Sequence, residues 1–326
     1  MPFLRFKTLL LASLLALGAS AMAQPAWPSR PVRLVVPFPA GGATDLIARA
    51  IAQRVTQDAG QQIVVDNKAG AGGTLGSTDA ARAAADGYTL LLTTSSTHAI
   101  APHLSARLAY HPVNDFTPVA HLGDAASLLL VTPMLEARNV AELIALAKRQ
   151  PGRLNYASSG NGTIVQLTTE AFKTQAGVFM THIPYKGTSL AMPDLIAGHV
   201  QVLFDAIPSG MPHVKDGRVR ALAVTGTRRA PLAPELPTVA EAGLPGFASV
   251  TWFGLYAPKG LDADLVRRIH AEFAKALATP DVVERLARLG VDPARPGSSP
   301  ADFAAMVAAD SARWAALIRE RRINAD

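Results

Sequence analysis

Three times along this chain a short apolar run ends in a glycine-rich bend that opens into a helix-forming stretch. The bends are Pro39-Ala40-Gly41-Gly42-Ala43-Thr44, Gly70-Ala71-Gly72-Gly73-Thr74 and Ser158-Ser159-Gly160-Asn161-Gly162-Thr163. Such units leave few topologies open. Strand, helix and strand in alternation argue an α/β fold, with mostly parallel sheets covered by helices. In those sheets ligands bind at the carboxyl edges of the strands, where these bends lie.

The alternation runs through the chain. Strands are predicted over residues 32–36, 62–66, 88–93, 128–131, 154–157, 179–183, 200–204, 219–225 and 251–256. Helices are predicted over 44–58, from the second bend to about 84, and over 140–149, 163–176, 190–197, 263–278, 281–289 and 300–321. Residues 228–247 carry Pro231, Pro234, Pro237 and Pro245 and read as a long surface connection. A chain of 326 residues exceeds what one core usually serves, so two lobes are expected. Crossings between them fall near 125–127 and 249–252. Lobe 1 is then 24–126 with 251–326, and lobe 2 is 127–250.

Residues 1–23 have the form of an export signal. Arg5 and Lys7 precede an apolar run from Thr8 to Ala19, and Ala21-Met22-Ala23 offers small residues for cleavage after Ala23. The run is too short to span a bilayer. The mature chain is therefore expected outside the cytoplasm.

Composition then removes whole classes of function. There is no cysteine, which excludes disulfides, thiolate nucleophiles and Cys-based metal sites. Lys and Arg number 31 against 25 Asp and Glu, and the basic residues are scattered without interleaved aromatics, which argues against nucleic acid. No Gly-x-Ser-x-Gly elbow and no His-Glu-x-x-His occurs. The eight histidines show no ligand-spaced pair beside a carboxylate. In the second bend the third glycine of a dinucleotide fingerprint would fall at Leu75, and no Gly-Lys-Ser/Thr follows any bend. An enzyme is not expected, nor a cofactor or metal.

What the bends offer is backbone. Glycine lets the main chain approach a ligand, and the first N–H groups of a helix have no intrahelical partner. An anion can satisfy them without a basic side chain. Thr44, Thr74 and Thr163 can cap their helices. Each bend alone also reads as an ordinary turn with an ordinary cap. Asp45 either complements the helix dipole or orders its glycine loop. Lys186 either faces the cleft or lies on the surface. Asp205, at a strand end, is either a turn residue or an acceptor for a ligand.

At these motifs the sequence resembles the Bug, or tripartite tricarboxylate transporter, substrate-binding receptors of the bacterial periplasm. The resemblance is carried by Trp27-Pro28-Ser29-Arg30-Pro31, the first bend through Asp45, Gly70-Ala71-Gly72-Gly73, Asp86-Gly87-Tyr88-Thr89-Leu90, Tyr156-Ala157-Ser158-Ser159-Gly160, Pro184-Tyr185-Lys186-Gly187, Arg220-Ala221-Leu222-Ala223-Val224-Thr225 and Leu236-Pro237-Thr238-Val239-Ala240-Glu241-Ala242-Gly243. It implies a two-lobed periplasmic binding protein, type II-like, that closes its cleft on a small mono- or dicarboxylate. It further implies that loops 38–45 and 69–74 clamp one carboxylate through backbone amides and ordered water. The second lobe would add 158–163, 185–187 and the Asp205 strand end.

The candidate ligand-binding residues are thus Phe38, Ala40, Gly41, Gly42, Thr44, Asp45, Gly70, Ala71, Gly72, Gly73, Thr74, Ser158, Gly160, Thr163, Tyr185, Lys186, Gly187 and Asp205. Gly41→Asp or Gly72→Asp is expected to abolish binding by adding bulk and charge. Departures from the family pattern are Ala69, Gln166, Gln201 and Ala206. The implied partner is an inner-membrane permease of the tripartite tricarboxylate type, or alternatively a membrane sensor kinase. A monomer is expected.

Overall fold

The computed structural model describes residues 27–105, 107–321 and 323. The export signal and its cleavage after Ala23 lie outside the described residues. The chain opens with β1 (Val32–Val36), α1 (Ala43–Ala59), β2 (Ile63–Asn67), a 3-10 turn (Ala71–Gly73), α2 (Thr74–Ala81) and β3 (Thr89–Thr94). β1 lies parallel between β2 and β3, with Val32 beside Ile63 and Leu34 beside Leu90. A π-helical turn (Ser96–Ile100) runs into α3 (Ala101–Leu104), followed by the 16-residue β4 (Phe116–Val131).

The middle of the chain gives α4 (Val140–Arg149), β5 (Asn155–Ser158), α5 (Ile164–Ala176), β6 (Thr181–Pro184), α6 (Thr188–Ala197), β7 (Val202–Ala206), α7 (Ile207–Lys215) and β8 (Arg220–Val224). The chain returns through β9 (Val250–Pro258) and ends in α8 (Ala263–Ala278), α9 (Pro280–Arg288), β10 (Asp292–Pro293) and α10 (Pro300–Arg321).

The strand order is β2-β1-β3-β9-β4-β7-β5-β6, with β8 and β10 also paired to β4. Pairing is parallel on both flanks, β2-β1-β3 and β7-β5-β6, as the strand–helix alternation predicts. The centre is antiparallel, because β4 and β9 pass between the flanks in opposite directions. β4 changes partners midway. Phe116 to Ala126 pair with β9, and Ser127 to Val131 pair with β7 and β8.

At that change the Thr225 hydroxyl joins both passing segments. It accepts from the Ser127 N–H at 2.8 Å and donates to the Ser249 carbonyl at 2.5 Å. Thr225 is fully buried, so these bonds face no competition from water.

Each half of the sheet has its own apolar layers. Leu34, Ile47, Ile51 and Phe273 fill one face of the first half, and Phe116, Trp252, Tyr256, Phe303 and Trp314 fill the other. In the second half, Tyr156, Phe172 and Phe204 pack on one face and Leu128, Leu203 and Met192 on the other.

The π-helical turn, α3 and β10 are not expected from the sequence, and β4 and α7 differ for a local reason. β4 begins at Phe116 rather than at 128, because register shifts at Pro118–Ala120 and His121–Gly123 absorb residues that read as breakers. α7 forms in spite of Pro208, Gly210 and Pro212. Pro208 sits in the first turn, where its missing N–H costs nothing.

Candidate functional site

The first bend delivers its helix to a cavity of about 60 Å³ between the two halves of the sheet. Phe38, Pro39, Gly42, Ala43 and Thr44 form one wall, with Thr94 and Ser96 from the end of β3. Ser159, Ile164, Gly187, Thr188 and Asp205 face them from the second half, and Ser127, Thr251 and Phe253 line the cavity from the crossing strands. A volume of this size holds about four water-sized groups, the scale of a small acid. Among the described residues, no Lys, Arg or His lines it, and Asp205 is its single ionisable residue.

The donors are main-chain. Gly42 caps α1 with φ −77° and ψ 164°, and no side chain accepts from the first turn. α1 therefore presents open N–H groups and its positive dipole end to the cavity. Thr44 sits inside the helix rather than capping it. Thr163 is the cap residue of α5, but its hydroxyl donates to the Gly160 carbonyl at 2.7 Å instead. The Thr74 hydroxyl likewise donates to the Ala71 carbonyl. The capping expected of these three threonines is replaced by turn-building bonds at Thr74 and Thr163, because each hydroxyl finds a carbonyl three residues back.

Asp45 orders the loop and does not line the cavity. Its Oδ2 accepts the Gly41 N–H at 2.9 Å, and its Oδ1 accepts from Asn67 Nδ2 at 3.0 Å and from Arg49 Nε at 2.9 Å. Asn67 Nδ2 also donates to the Phe38 carbonyl. Burial alone would raise the Asp45 pKa, but the bonds from Arg49, Gly41 and Asn67 outweigh it and hold the carboxyl below its usual range. Ala40 and Gly41 are thus fixed from behind. Asp45→Ala is expected to loosen this loop and weaken ligand binding about tenfold or more, read by calorimetry. Unchanged affinity would show that the loop holds its shape without the carboxylate.

The second glycine bend has another place. Gly70, Ala71, Gly72 and Gly73 all have positive φ, from 48° to 141°. None of the four lines the cavity. The bend lies against the third one. A Cβ on Gly72 would stand 2.7 Å from the Asn161 carbonyl, and one on Gly160 would stand 3.2 Å from Gly72 N and Cα. On its other side a Cβ at Gly73 would meet Thr97 and Phe38. Gly72→Asp would act here through the contact between the halves of the molecule, rather than through charge beside the ligand.

Ser158 and Gly160 shape the third bend. The Ser158 hydroxyl accepts the Gly160 N–H and bonds His182 Nε2 at 2.6 Å. Gln166 reaches back to the Gly162 N–H at 2.7 Å. Tyr185 and Lys186 face an outer groove with Ala71, Gly72, Thr74 and Gly160. The Tyr185 hydroxyl donates to Asp194 at 2.5 Å.

Of the predicted residues, Phe38, Gly42, Thr44, Gly187 and Asp205 line the cavity. Thr94, Ser96, Ser127, Ser159, Thr188 and Thr251 add hydroxyls that the sequence reading did not select. The unbroken run Thr93-Thr94-Ser95-Ser96-Thr97 at the end of a predicted strand was the available signal.

Asp205 is buried to 2 % exposure. Ser209 donates to its Oδ1 at 2.8 Å, while its Oδ2 has no hydrogen-bond partner among the described residues. Burial pushes its pKa up to about 6, with nearby hydroxyls of Thr188 and Ser209 and the Ala206 N–H opposing the rise.

Known proteins are similar to this chain in sequence and fold. Protein BugT of Bordetella pertussis is 36% identical over 303 residues, covering 93% of this chain and 92% of BugT. The structure of Rpa4515 of R. palustris with adipate is 38% identical at a TM-score of 0.88, over 91% of this chain and 99% of that one. MatC from Rhodopseudomonas palustris with bound malate is 36% identical at a TM-score of 0.86, over 90% of this chain and all of that one, 100%. The family described as the tripartite tricarboxylate transporter family receptor matches residues 47–323. With its uncapped helix end, its cavity between two sheet halves and this match along most of its length, the chain belongs to the tripartite tricarboxylate transporter receptor family.

Proposed function

We propose that this protein is a periplasmic solute receptor that captures a small organic carboxylate by hinge closure and delivers it to a tripartite tricarboxylate-type permease. The observation that carries the reading is the uncapped N-terminus of α1, opening into a small cavity with no basic side chain among the described residues. An anionic oxygen placed there completes the open N–H groups, and excluding water strengthens each bond. Relatives with adipate and malate support the same ligand class. Apart from Asp205, the rest of the lining is mainly hydroxyl and apolar, which suits selection of a ligand by shape rather than by countercharge. Lobes of 24–126 with 251–326 and of 127–250 are supported by the change of β4 pairing at Ala126–Ser127. Export with cleavage after Ala23 completes the reading.

Gly42→Asp tests it. Gly42 has a φ that any residue adopts, and a Cβ there meets only the Pro39 carbonyl, at 3.4 Å. The new carboxylate would cap α1 and occupy the place of the ligand. Affinity for an organic acid is expected to fall at least about 100-fold, while the empty protein gains only about 0.3 kcal/mol from the cap. Gly42→Ala serves as the control. Calorimetry showing unchanged binding by the aspartate variant would remove the helix end from the site.

A further inference from the structure

Asp205 presents a problem that the carboxylate reading creates. Among the described residues the cavity holds one ionisable group, and it has the same sign as the ligand. No cation among those residues lines the cavity to separate the two charges. The free Oδ2 of Asp205 can act as a hydrogen-bond donor only when it carries a proton.

A second, larger cavity of about 480 Å³ shares Asp205 as a wall. It is lined by Gly41, Ser189, Ser209, His213 and Arg218, with apolar residues of α6. Besides Asp205, two of its lining residues carry buried polar atoms without partners among the described residues, the Ser189 hydroxyl and His213 Nδ1. Such a space suits water. Arg218, at the exposed edge, leads to solvent. Asp205 thus borders a second, solvent-edged space as well as the ligand cavity.

The charged groups around Asp205 leave it to titrate. His213 is held low by burial and by Arg218, so it stays neutral near pH 7. Arg218 is paired with Asp216 at 3.1 Å. On α1, Asp45 is engaged by Arg49. On α6, Asp194 is engaged by Tyr185 and His199. Lys215 of α7 is exposed, and Lys186 faces the outer groove.

We infer that Asp205 holds the captured acid as a neutral carboxyl group, taking up one proton from solvent for each anion bound and donating it as a hydrogen bond to the ligand. The inference rests on the carboxylate reading above. Asp205 is then a specificity residue. It accepts a second negative group at the price of a proton, and it ties capture to the pH of the periplasm.

The test uses the full mature protein and four probes: L-malate, succinate, adipate and benzoate. The acid that raises the melting temperature most goes to calorimetry at pH 7.5 in phosphate and in Tris, whose ionisation heats differ. About one proton taken up per acid is expected. Between pH 6.5 and 8.5 the Kd should rise up to tenfold per unit. Asp205→Asn, which donates without a proton, should bind with no proton uptake and with a Kd independent of pH, at least as tightly as wild type at pH 8.5. Asp205→Ala should bind more weakly throughout. Binding by wild type without proton uptake, a measurement that needs no variant, overturns this inference alone. If none of the four acids binds, the carboxylate reading falls and the inference with it.

Discussion

Gly187→Val is expected to abolish ligand binding while leaving the empty protein as stable as wild type. Gly187 precedes α6 with φ 168° and ψ 158°, an extended conformation open to any residue. Its need for glycine is steric and comes from across the cavity. A Cβ would lie 2.5 Å from Pro39 Cγ and closer still to Cδ. Pro39 belongs to the first bend and Gly187 to the second half of the sheet, so the clash exists only when the two walls meet. Valine would shift the open–shut equilibrium without touching either core. Binding energy must then be spent against the clash, and a loss of two or more orders of magnitude in Kd corresponds to about 3 kcal/mol. Calorimetry with the preferred acid, beside a thermal melt of the empty protein, reads both quantities. A valine variant that binds within threefold of wild type would show that the Pro39–Gly187 approach is not needed for capture.

The largest effect on stability is expected from Phe303→Ala. Phe303 is 1 % exposed on α10 and packs edge-on against Trp252 with ring centres 5.7 Å apart. It also meets Tyr256 at 5.1 Å and stacks on His121 at 6.0 Å. Its ring fills the space left by the missing side chain of Gly254, where a Cβ would overlap it. Truncation removes the ring contacts and leaves a cavity that the β-sheet beneath cannot collapse to fill. The cost is about 3–5 kcal/mol, measurable by denaturant unfolding. A change below about 1 kcal/mol would mean that α10 repacks freely over β9.

The flanks of the sheet were legible because each strand is a short apolar run followed by a helix of clear period. The centre was not. Pro118 and Gly123 interrupt the pattern of β4, and only the bulges opposite β9 explain how the strand continues through them. α7 hid behind two prolines and a glycine for the same reason. The site divides in a similar way. Gly42 and Asp205 stand at a helix start and a strand end, places that local pattern reveals. The placement of Gly72 depends on Asn161, which is remote in sequence, and no local pattern encodes that meeting. The bonds of the Thr74 and Thr163 hydroxyls are not legible in the sequence, because a hydroxyl near a helix start has two acceptable partners and only the final turn geometry selects one.

The buried hydroxyl of Thr225 has a mechanical consequence. It is bonded to both stretches of chain that link the two sides of the molecule. Sliding or shearing one stretch past the other would strand a polar atom where no water can reach it, whereas swinging both together leaves its bonds intact. Shear between the two sides is thereby disfavoured relative to a swing that carries both stretches together, much as a pin biases a door toward turning.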